Sequence, residues 1–138
     1  MKNKDHPYVG VDAIITDEKG YLLLVKRSEE SKVFPGFWGL VSGHVEWNET
    51  VKEALAREAQ EEIGVELEVI RFTGRYYDKI GRHPTETIIC LPSICRIKKG
   101  IPKPLEKGTE IKWFSPEKVR NMKLAYDHKQ MLIDEGLI

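Results

Sequence analysis

The alternation of apolar and polar positions predicts two strands at the start of the chain. Val9 to Thr16 is apolar and β-branched apart from Asp12, and a second apolar run covers Tyr21 to Lys26. Between them, Asp17 to Gly20 has the composition of a turn. Two such runs across a short turn that contains glycine predict a β-hairpin.

The clearest helix is predicted from Val51 to Ile63. Thr50 and Glu53 have the spacing of a capping box, in which each side chain accepts a hydrogen bond from the other residue's backbone N–H group. Gly64 follows where a left-handed residue commonly ends a helix. The apolar residues of this segment supply a side that can pack on a core.

The remaining elements are shorter. Further strands are predicted, in chain order, at Phe37–Val41, Val65–Tyr77, Thr85–Ile97 and Ile111–Phe114. Pro92 has no N–H group to donate, so we expect a bulge or a sheet edge there. A turn that contains Gly81 is expected from Asp78 to Pro84, one helix starts at Ser115-Pro116-Glu117, and a last helix covers Ala125 to Glu135. Strands on both sides of a central helix predict an α/β (α+β) fold with a mixed sheet, in a single domain over residues 1–138.

Composition narrows the functional classes. The 138 residues contain 22 Lys plus Arg and 22 Asp plus Glu, and this balance disfavours a nucleic-acid binder. No apolar run approaches the roughly 20 residues of a membrane span, so we expect no membrane partner. Met1 to His6 is charged and has no signal-peptide core after it. Cys90 and Cys95 are expected to be buried thiols on opposite strand faces, as in a reducing compartment, and the expected location is cytoplasmic.

One face of the central helix is unusually acidic. Glu58, Glu61 and Glu62 follow one another at i, i+3 and i+4, which places them on one side of a helix. The three carboxylates repel one another, and the negative end of the helix dipole adds to the cost. A solvated acidic face is the ordinary interpretation of such a run. A bound cation is the alternative, because carboxylate oxygens are good ligands for Mg²⁺ and Mn²⁺.

The residues around these glutamates favour the second interpretation. The segment GHVEWNETVKEALAREAQEEIGV resembles the signature of the Nudix hydrolases at its fixed positions, which are Gly43, Glu49, Arg57, Glu58, Glu61, Glu62 and Gly64. The order of the flanking segments LLLVKR, FWGL and KWFSPEKV is also similar to that of the family. The resemblance implies an α/β/α sandwich in which residues 50–63 form the catalytic helix.

The resemblance also implies roles for individual residues. Glu58, Glu61 and Glu62 would bind Mg²⁺ or Mn²⁺, with the backbone carbonyl of Gly43 as a weaker candidate ligand. Glu49 and Arg57 would form a structural pair, since the planar guanidinium group orients carboxylates well.

The reaction implied is attack of an activated water on one phosphorus of a diphosphate. In the family the general base is either a glutamate of the signature, here Glu58, or a glutamate on a later loop. Glu106 and Glu110 are the loop candidates, although each is equally well explained as a surface acid.

Candidate substrate-binding residues lie outside the acidic helix. Arg27 could contact phosphate or be a surface charge at a strand end, and His44 could reach a phosphate. The aromatic residues Phe37, Trp38, Tyr76 and Tyr77 could stack on a base, although Trp38 is better explained as part of the core.

Substrate identity is predicted from two segments outside the signature. The segments RYYDKIGRHPTETIICL and LAYDHKQML resemble those of ADP-ribose pyrophosphatases, which favours ADP-ribose or another nucleotide sugar and allows a homodimer. A MutT-type triphosphate pyrophosphohydrolase is the main alternative. A non-catalytic nucleotide-sensing module is a third, although such a module would be expected to lose signature glutamates and none is missing here.

Overall fold

The computed structural model describes residues 6–80 and 83–138. Within these residues the chain forms seven strands and three helices. The strands are β1 (Tyr8–Ile15), β2 (Leu22–Lys26), β3 (Trp38–Gly39), β4 (Val41–His44), β5 (Glu66–Phe72), β6 (Ile88–Lys99) and β7 (Glu110–Phe114), and the helices are α1 (Val51–Ile63), α2 (Pro116–Arg120) and α3 (His128–Asp134).

The strands form two sheets. The larger sheet has the order β4-β1-β6-β5, and β1 and β6 are parallel while the outer pairs are antiparallel. The smaller sheet is antiparallel, with the order β3-β2-β7. The predicted mixed sheet is therefore confirmed, and it is joined by a second, smaller one.

Both faces of β1 are buried from Val11 to Ile15. Val11, Ala13 and Ile15 of β1 pack with α1, whereas Ile14 packs on the opposite side with residues of α2 and α3. Because successive strand residues point to opposite faces, an uninterrupted apolar run covers both. Helix α1 therefore lies on one side and α2 and α3 lie on the other, which confirms the α/β/α arrangement.

The predicted hairpin is wrong in its pairing. A single bridge between Thr16 and Leu22 joins β1 to β2, after which β1 continues in the larger sheet and β2 in the smaller one. The turn itself is present, with the Asp17 carboxylate accepting the backbone N–H groups of Lys19 and Tyr21. The apolar runs pair with β6 and β7 instead, because those long-range partners bury both strands.

Helix α1 has the predicted limits and caps. The Thr50 hydroxyl accepts from the Glu53 N–H group, and the Glu53 carboxylate accepts from the Thr50 N–H group. Gly64 adopts a left-handed conformation with φ of 71°. Local chemistry therefore determines where this helix begins and ends.

Three of the predicted strands have other limits in the structure. Phe37–Val41 is divided between β3 and β4, Val65–Tyr77 is shortened to β5, and Thr85–Ile97 is shifted to β6. β5 ends at Phe72 rather than Tyr77, which keeps only an isolated bridge to Cys90. Pro92 lies in the interior strand β6, at the point where the β5 ladder ends. The bulge expected at Pro92 itself is not observed, and the nearest register shift lies in β5, between Val69 and Arg71. Residues 81 and 82 of the predicted turn lie outside the described residues.

The last helix begins three residues later than predicted. Tyr126 has a positive φ of 51°, and the Ala125 N–H group donates to the carbonyl oxygen of Trp38 rather than to a helical partner. The residues before His128 are thus fixed by contact with β3. This contact determines where α3 enters the site described below.

The two cysteines lie on opposite faces of β6, as predicted. Cys95 is buried on the α1 side, and Cys90 is partly buried on the side of α2 and α3. Neither thiol takes part in a disulfide within the part of the chain that the structure describes. None of the described helices is long and apolar enough to span a membrane.

Candidate active site

The site is formed where α1 packs against β4. A Cβ atom added to Gly43 would overlap the Glu58 carboxylate, so glycine is required for this helix to approach the strand. One position earlier, the backbone of Ser42 lies close enough to the Glu62 carboxylate to oppose the rise in its pKa. The glycine that opens the signature therefore makes room for Glu58, and the strand lies beside Glu62.

Arg57 connects the helix to the loop before it. Its Nε and Nη2 atoms donate to the two carboxylate oxygens of Glu49 at 2.7 and 3.0 Å, and Nη2 also donates to the carbonyl oxygen of His44 at 2.8 Å. Its Nη1 atom donates to Glu58 at 3.1 Å and to Glu61 at 3.3 Å. A rigid planar donor group can hold three carboxylates and one carbonyl in this way, whereas an ammonium group cannot.

Glu49 is held ionised by this arrangement. The hydrogen bonds from Arg57 and from the backbone N–H group of Glu46 lower the pKa of Glu49 to about 2. The pKa of Arg57 is raised in return by its bonds to Glu49. The predicted structural pair of Glu49 and Arg57 is therefore present in its geometry.

The pKa values of Glu58 and Glu62 are shifted upward, in the direction opposite to that of Glu49. Burial raises the pKa of Glu58 to about 7, against the opposing effect of Arg57, and Glu61 and Glu106 raise it further. Burial also raises the pKa of Glu62 well above its ordinary value, and the charges of Glu58 and Glu106 add to that shift. Carboxylates that are crowded and desolvated in this manner disfavour their charged forms unless a cation is present.

The third predicted metal ligand lies further out. The Glu61 side chain is 55% exposed and contacts Arg57. Among residues 6–80 and 83–138, no three His, Cys, Asp or Glu side chains converge closely enough to form a complete metal cluster. The residues nevertheless fit a hard divalent cation, because the donor set is oxygen and Glu58 and Glu62 are crowded together beside Gly43.

A cleft of about 410 Å³ opens next to these glutamates. Its lining includes two acidic residues of α1, one arginine and one acidic loop residue, which are Glu58, Glu62, Arg27 and Glu106. Arg27 is held by hydrogen bonds from Nε to the carbonyl oxygen of Val33 and from Nη2 to the Ser31 hydroxyl. The cleft thus combines metal-type ligands with a positioned guanidinium group, which suits a phosphate group.

Several other predicted residues lie away from this cleft. Glu110 forms an ion pair with Lys26 on the neighbouring strand at 3.6 Å and does not line the cleft. Tyr77 donates from its hydroxyl to Asp134 of α3 at 2.6 Å, and Tyr76 is 66% exposed. Neither tyrosine lines the cleft. Trp38 packs edge-on against Phe114, which confirms its interpretation as a core residue.

His44 lies at the edge of a second, smaller pocket. Its ring stacks on Tyr8 with centroids 4.5 Å apart, and its Nε2 atom is 3.4 Å from a carboxylate oxygen of Glu86. This pocket, of about 170 Å³, shares Arg27 and Ser42 with the larger cleft. The two pockets are therefore neighbours.

Sequence reasoning missed a buried polar pair between the two pockets. His128 Nδ1 accepts the Leu40 N–H group at 3.0 Å, and His128 Nε2 lies 3.0 Å from Asp12 Oδ1. Both residues are about 2% exposed. Asp12 is the only charged residue in the apolar run from Val9 to Thr16, but no local sequence pattern links it to a histidine 116 positions away.

Comparison with known proteins agrees with this geometry. Residues 6–134 match the family model for the NUDIX domain. The chain is 35% identical over 130 residues to an ADP-ribose pyrophosphatase of Methanocaldococcus jannaschii, covering 94% of this chain and 73% of that protein. It is 32% identical over 127 residues to the nucleoside triphosphatase NudI of Escherichia coli, covering 86% and 90%. It spans 66% of a MutT-like protein of Streptomyces ambofaciens, at 31% identity over 111 residues and 80% of this chain.

Solved structures give the same result. The crystal structure of a MutT NUDIX hydrolase from Burkholderia pseudomallei superposes with a TM-score of 0.82 at 28% identity, covering 94% of this chain and 98% of that one. The fold, the acidic helix and the family match agree, and the chain belongs to the Nudix family. It is a Nudix hydrolase, of the class that acts on phosphoanhydride bonds.

Proposed function

We propose that this protein uses a divalent metal ion to hydrolyse the diphosphate of a nucleoside diphosphate linked to a sugar, with ADP-ribose as the best candidate. The observation that carries the proposal is the cleft in which Glu58 and Glu62 face Arg27. Buried carboxylates that need a cation, placed opposite a guanidinium group, are the complement of a metal-bound diphosphate.

The metal ion in this proposal is Mg²⁺ or Mn²⁺. Glu58, Glu61 and Glu62 would hold it, with the carbonyl oxygen of Gly43 as a further ligand. When bound, the ion supplies charge neutralisation on phosphate oxygens and an activated water. Arg57 and Glu49 keep the helix carboxylates in position, and Arg27 binds and orients the phosphate groups.

The proton acceptor in this proposal is Glu58 or Glu106. Both carboxylates line the cleft, so either could reach a water that attacks the diphosphate. We expect Glu106→Gln to lower kcat about tenfold or more with little change in KM if Glu106 is the base. Glu110→Gln is the matched control and should retain full activity, because Glu110 pairs with Lys26 outside the cleft. A full-rate Glu106→Gln variant would assign the role to Glu58.

The nucleotide sugar is preferred on the strength of similarity. The relative from Methanocaldococcus jannaschii, at 35% identity over 94% of this chain, is named for its action on ADP-ribose. A nucleoside triphosphate is the second candidate, since NudI is similar over almost its whole length. A sensing module without catalysis is the least supported, because all signature glutamates are present.

A product screen separates these candidates. Purified protein with Mg²⁺ or Mn²⁺ is incubated with ADP-ribose, nucleotide sugars, dinucleoside polyphosphates and (deoxy)nucleoside triphosphates, and products are resolved by chromatography. AMP from ADP-ribose, abolished by EDTA, supports the proposal. Pyrophosphate from a triphosphate moves the protein to the second candidate, and no turnover despite metal binding would favour the sensing module.

Two other predictions remain open to test. A homodimer would be detected by light scattering of the purified protein, and a cytoplasmic location by fractionation of the native cells.

A further inference from the structure

An acceptor atom without a partner lies beside the cleft. Asp12 Oδ2 is buried, and no hydrogen-bond donor within the described residues reaches it. A buried polar atom without a hydrogen-bond partner destabilises the folded state, and such atoms are rare in folded proteins. The other oxygen of the same carboxylate, Oδ1, contacts His128.

The hydrogen-bond chain leading to Asp12 fixes the role of each atom. His128 Nδ1 must be an acceptor, because it receives the Leu40 N–H group. In the neutral ring the proton then lies on Nε2, which donates to Asp12 Oδ1. Gly39 makes this placement feasible, since a Cβ atom there would lie 2.8 Å from His128 Nδ1. The result is a carboxylate held in one orientation with Oδ2 still able to accept.

The pocket that Asp12 lines has the character of a site for a flat ring. Ile88 and Cys90 line it beside Asp12, and Tyr126 forms a further part of the lining. Tyr126 is held in the left-handed region, with φ of 51°, and the Arg27 guanidinium carbon lies 5.3 Å from its ring centroid. Backbone strain of this kind is often found at ligand sites.

The position of the pocket relates it to the reaction. Arg27, Ser42 and His128 line both this pocket and the acidic cleft. A group in the smaller pocket would therefore adjoin a diphosphate bound in the larger one. In a nucleotide, the flat group that carries N–H donors is the base, and one sugar separates it from the phosphates.

We propose that the pocket lined by Asp12, Tyr126 and His128 binds the nucleobase of the substrate, and that Asp12 Oδ2 accepts a hydrogen bond from an N–H group of the base. This inference rests on the proposed function only in requiring a nucleotide substrate. Asp12 would be a specificity-determining residue, and His128 a positioning residue that acts through it. A site built to accept a hydrogen bond rejects an analogue that lacks the donor, because its own buried polar group is then left unpaired.

The test compares bases with and without the donor. Nucleotides of the four common bases and of hypoxanthine are compared with the unsubstituted purine nucleotide, which has no N–H group on its six-membered ring. The wild-type protein is expected to favour at least one donor-bearing base by about tenfold or more in kcat/KM. An unsubstituted purine nucleotide handled as well as all the others would overturn the proposal without any variant being made.

Asp12→Asn sharpens the test because it preserves shape. The amide oxygen can still accept from His128, while an NH₂ group replaces the free acceptor. We expect the preference for donor-bearing bases to fall to less than about threefold, mainly through KM. Asp78→Asn, at an exposed position, is the matched control and should retain the wild-type ratio. An unchanged ratio in Asp12→Asn contradicts the inference.

Two further outcomes are distinguishable. If Asp12→Asn instead removes discrimination between ribose and 2′-deoxyribose, the donor is a sugar hydroxyl and the assignment to the base is wrong. If no nucleotide is hydrolysed, the proposed function fails but the inference is still tested, by calorimetric binding of the nucleoside monophosphates to wild type and variant. Equal affinity for monophosphates with and without the base N–H group would then overturn it.

Discussion

Glu49 and Glu58 are the same residue type and contact the same guanidinium group, but their pKa values are shifted in opposite directions. The Glu49 carboxylate accepts two hydrogen bonds from Arg57 and one from the backbone, which lower its pKa to about 2. Glu58 accepts a single Arg57 bond, and burial raises its pKa to about 7. The number of donors and the degree of desolvation, rather than the residue type, therefore separate a structural carboxylate from one that requires a cation.

The strongest test of this difference is to remove a charge from the crowded pair. Glu62→Gln should lower kcat by at least about 10²-fold and weaken Mn²⁺ binding, because a metal ligand is lost while the shape is kept. In EDTA the same variant should be more stable than wild type, since a neutral amide does not repel Glu58. Turnover at saturating Mg²⁺ and melting temperature in EDTA measure the two effects.

The control for Glu62→Gln is Glu18→Gln, in an exposed turn. It should change neither turnover nor Mn²⁺ binding. Full activity of Glu62→Gln would remove this residue from the metal site.

The second test concerns the residue that both carboxylates share. Arg57→Lys should lower kcat/KM about 10- to 100-fold, because an ammonium group cannot donate to Glu49, Glu58 and the His44 carbonyl oxygen in one plane. We expect Mn²⁺ affinity to fall much less than turnover, since Arg57 contacts no metal. Arg96→Lys, at an exposed position of β6, serves as the matched variant and should behave as wild type. A lysine variant with normal turnover would show that charge alone suffices.

The third test uses pH and has the smallest expected effect. The pKa of Glu49 is lowered on folding, so its stabilising contribution is present above about pH 4.5 and is lost as pH falls toward 2. The pKa of Glu58 is raised, so its contribution is present below about pH 4.5 and is lost as pH rises toward 7. In EDTA the free energy of unfolding should therefore fall by about 1–3 kcal/mol from Glu58 between pH 4.5 and 7.

Two variants assign the two limbs of that profile. Glu58→Gln should reduce the fall between pH 4.5 and 7, and the remaining fall comes from Glu62, whose pKa is also raised. Glu49→Gln should flatten the fall at lower pH. Urea unfolding at each pH, without metal, is the measurement. If Mg²⁺ does not restore stability at pH 7, the account of Glu58 as a carboxylate in need of a cation is contradicted.

The sequence by itself determined the features that depend on near neighbours. The limits of α1 follow from Thr50, Glu53 and Gly64, all within 15 positions, and the spacing of Glu58 and Glu62 follows from the helical repeat. The pairing of Glu49 with Arg57 was also predicted, because the two lie eight positions apart in a recognisable signature.

Only the tertiary structure decided the features that depend on distant segments. The separation of β1 and β2 into two sheets depends on pairing with β6 and β7, which a local turn signal does not report. Glu106 lines the cleft and Glu110 does not, although only four positions separate them. The contact between Asp12 and His128 joins the first strand to the last helix, and no periodicity or spacing in a sequence encodes which buried side chains will meet across a core.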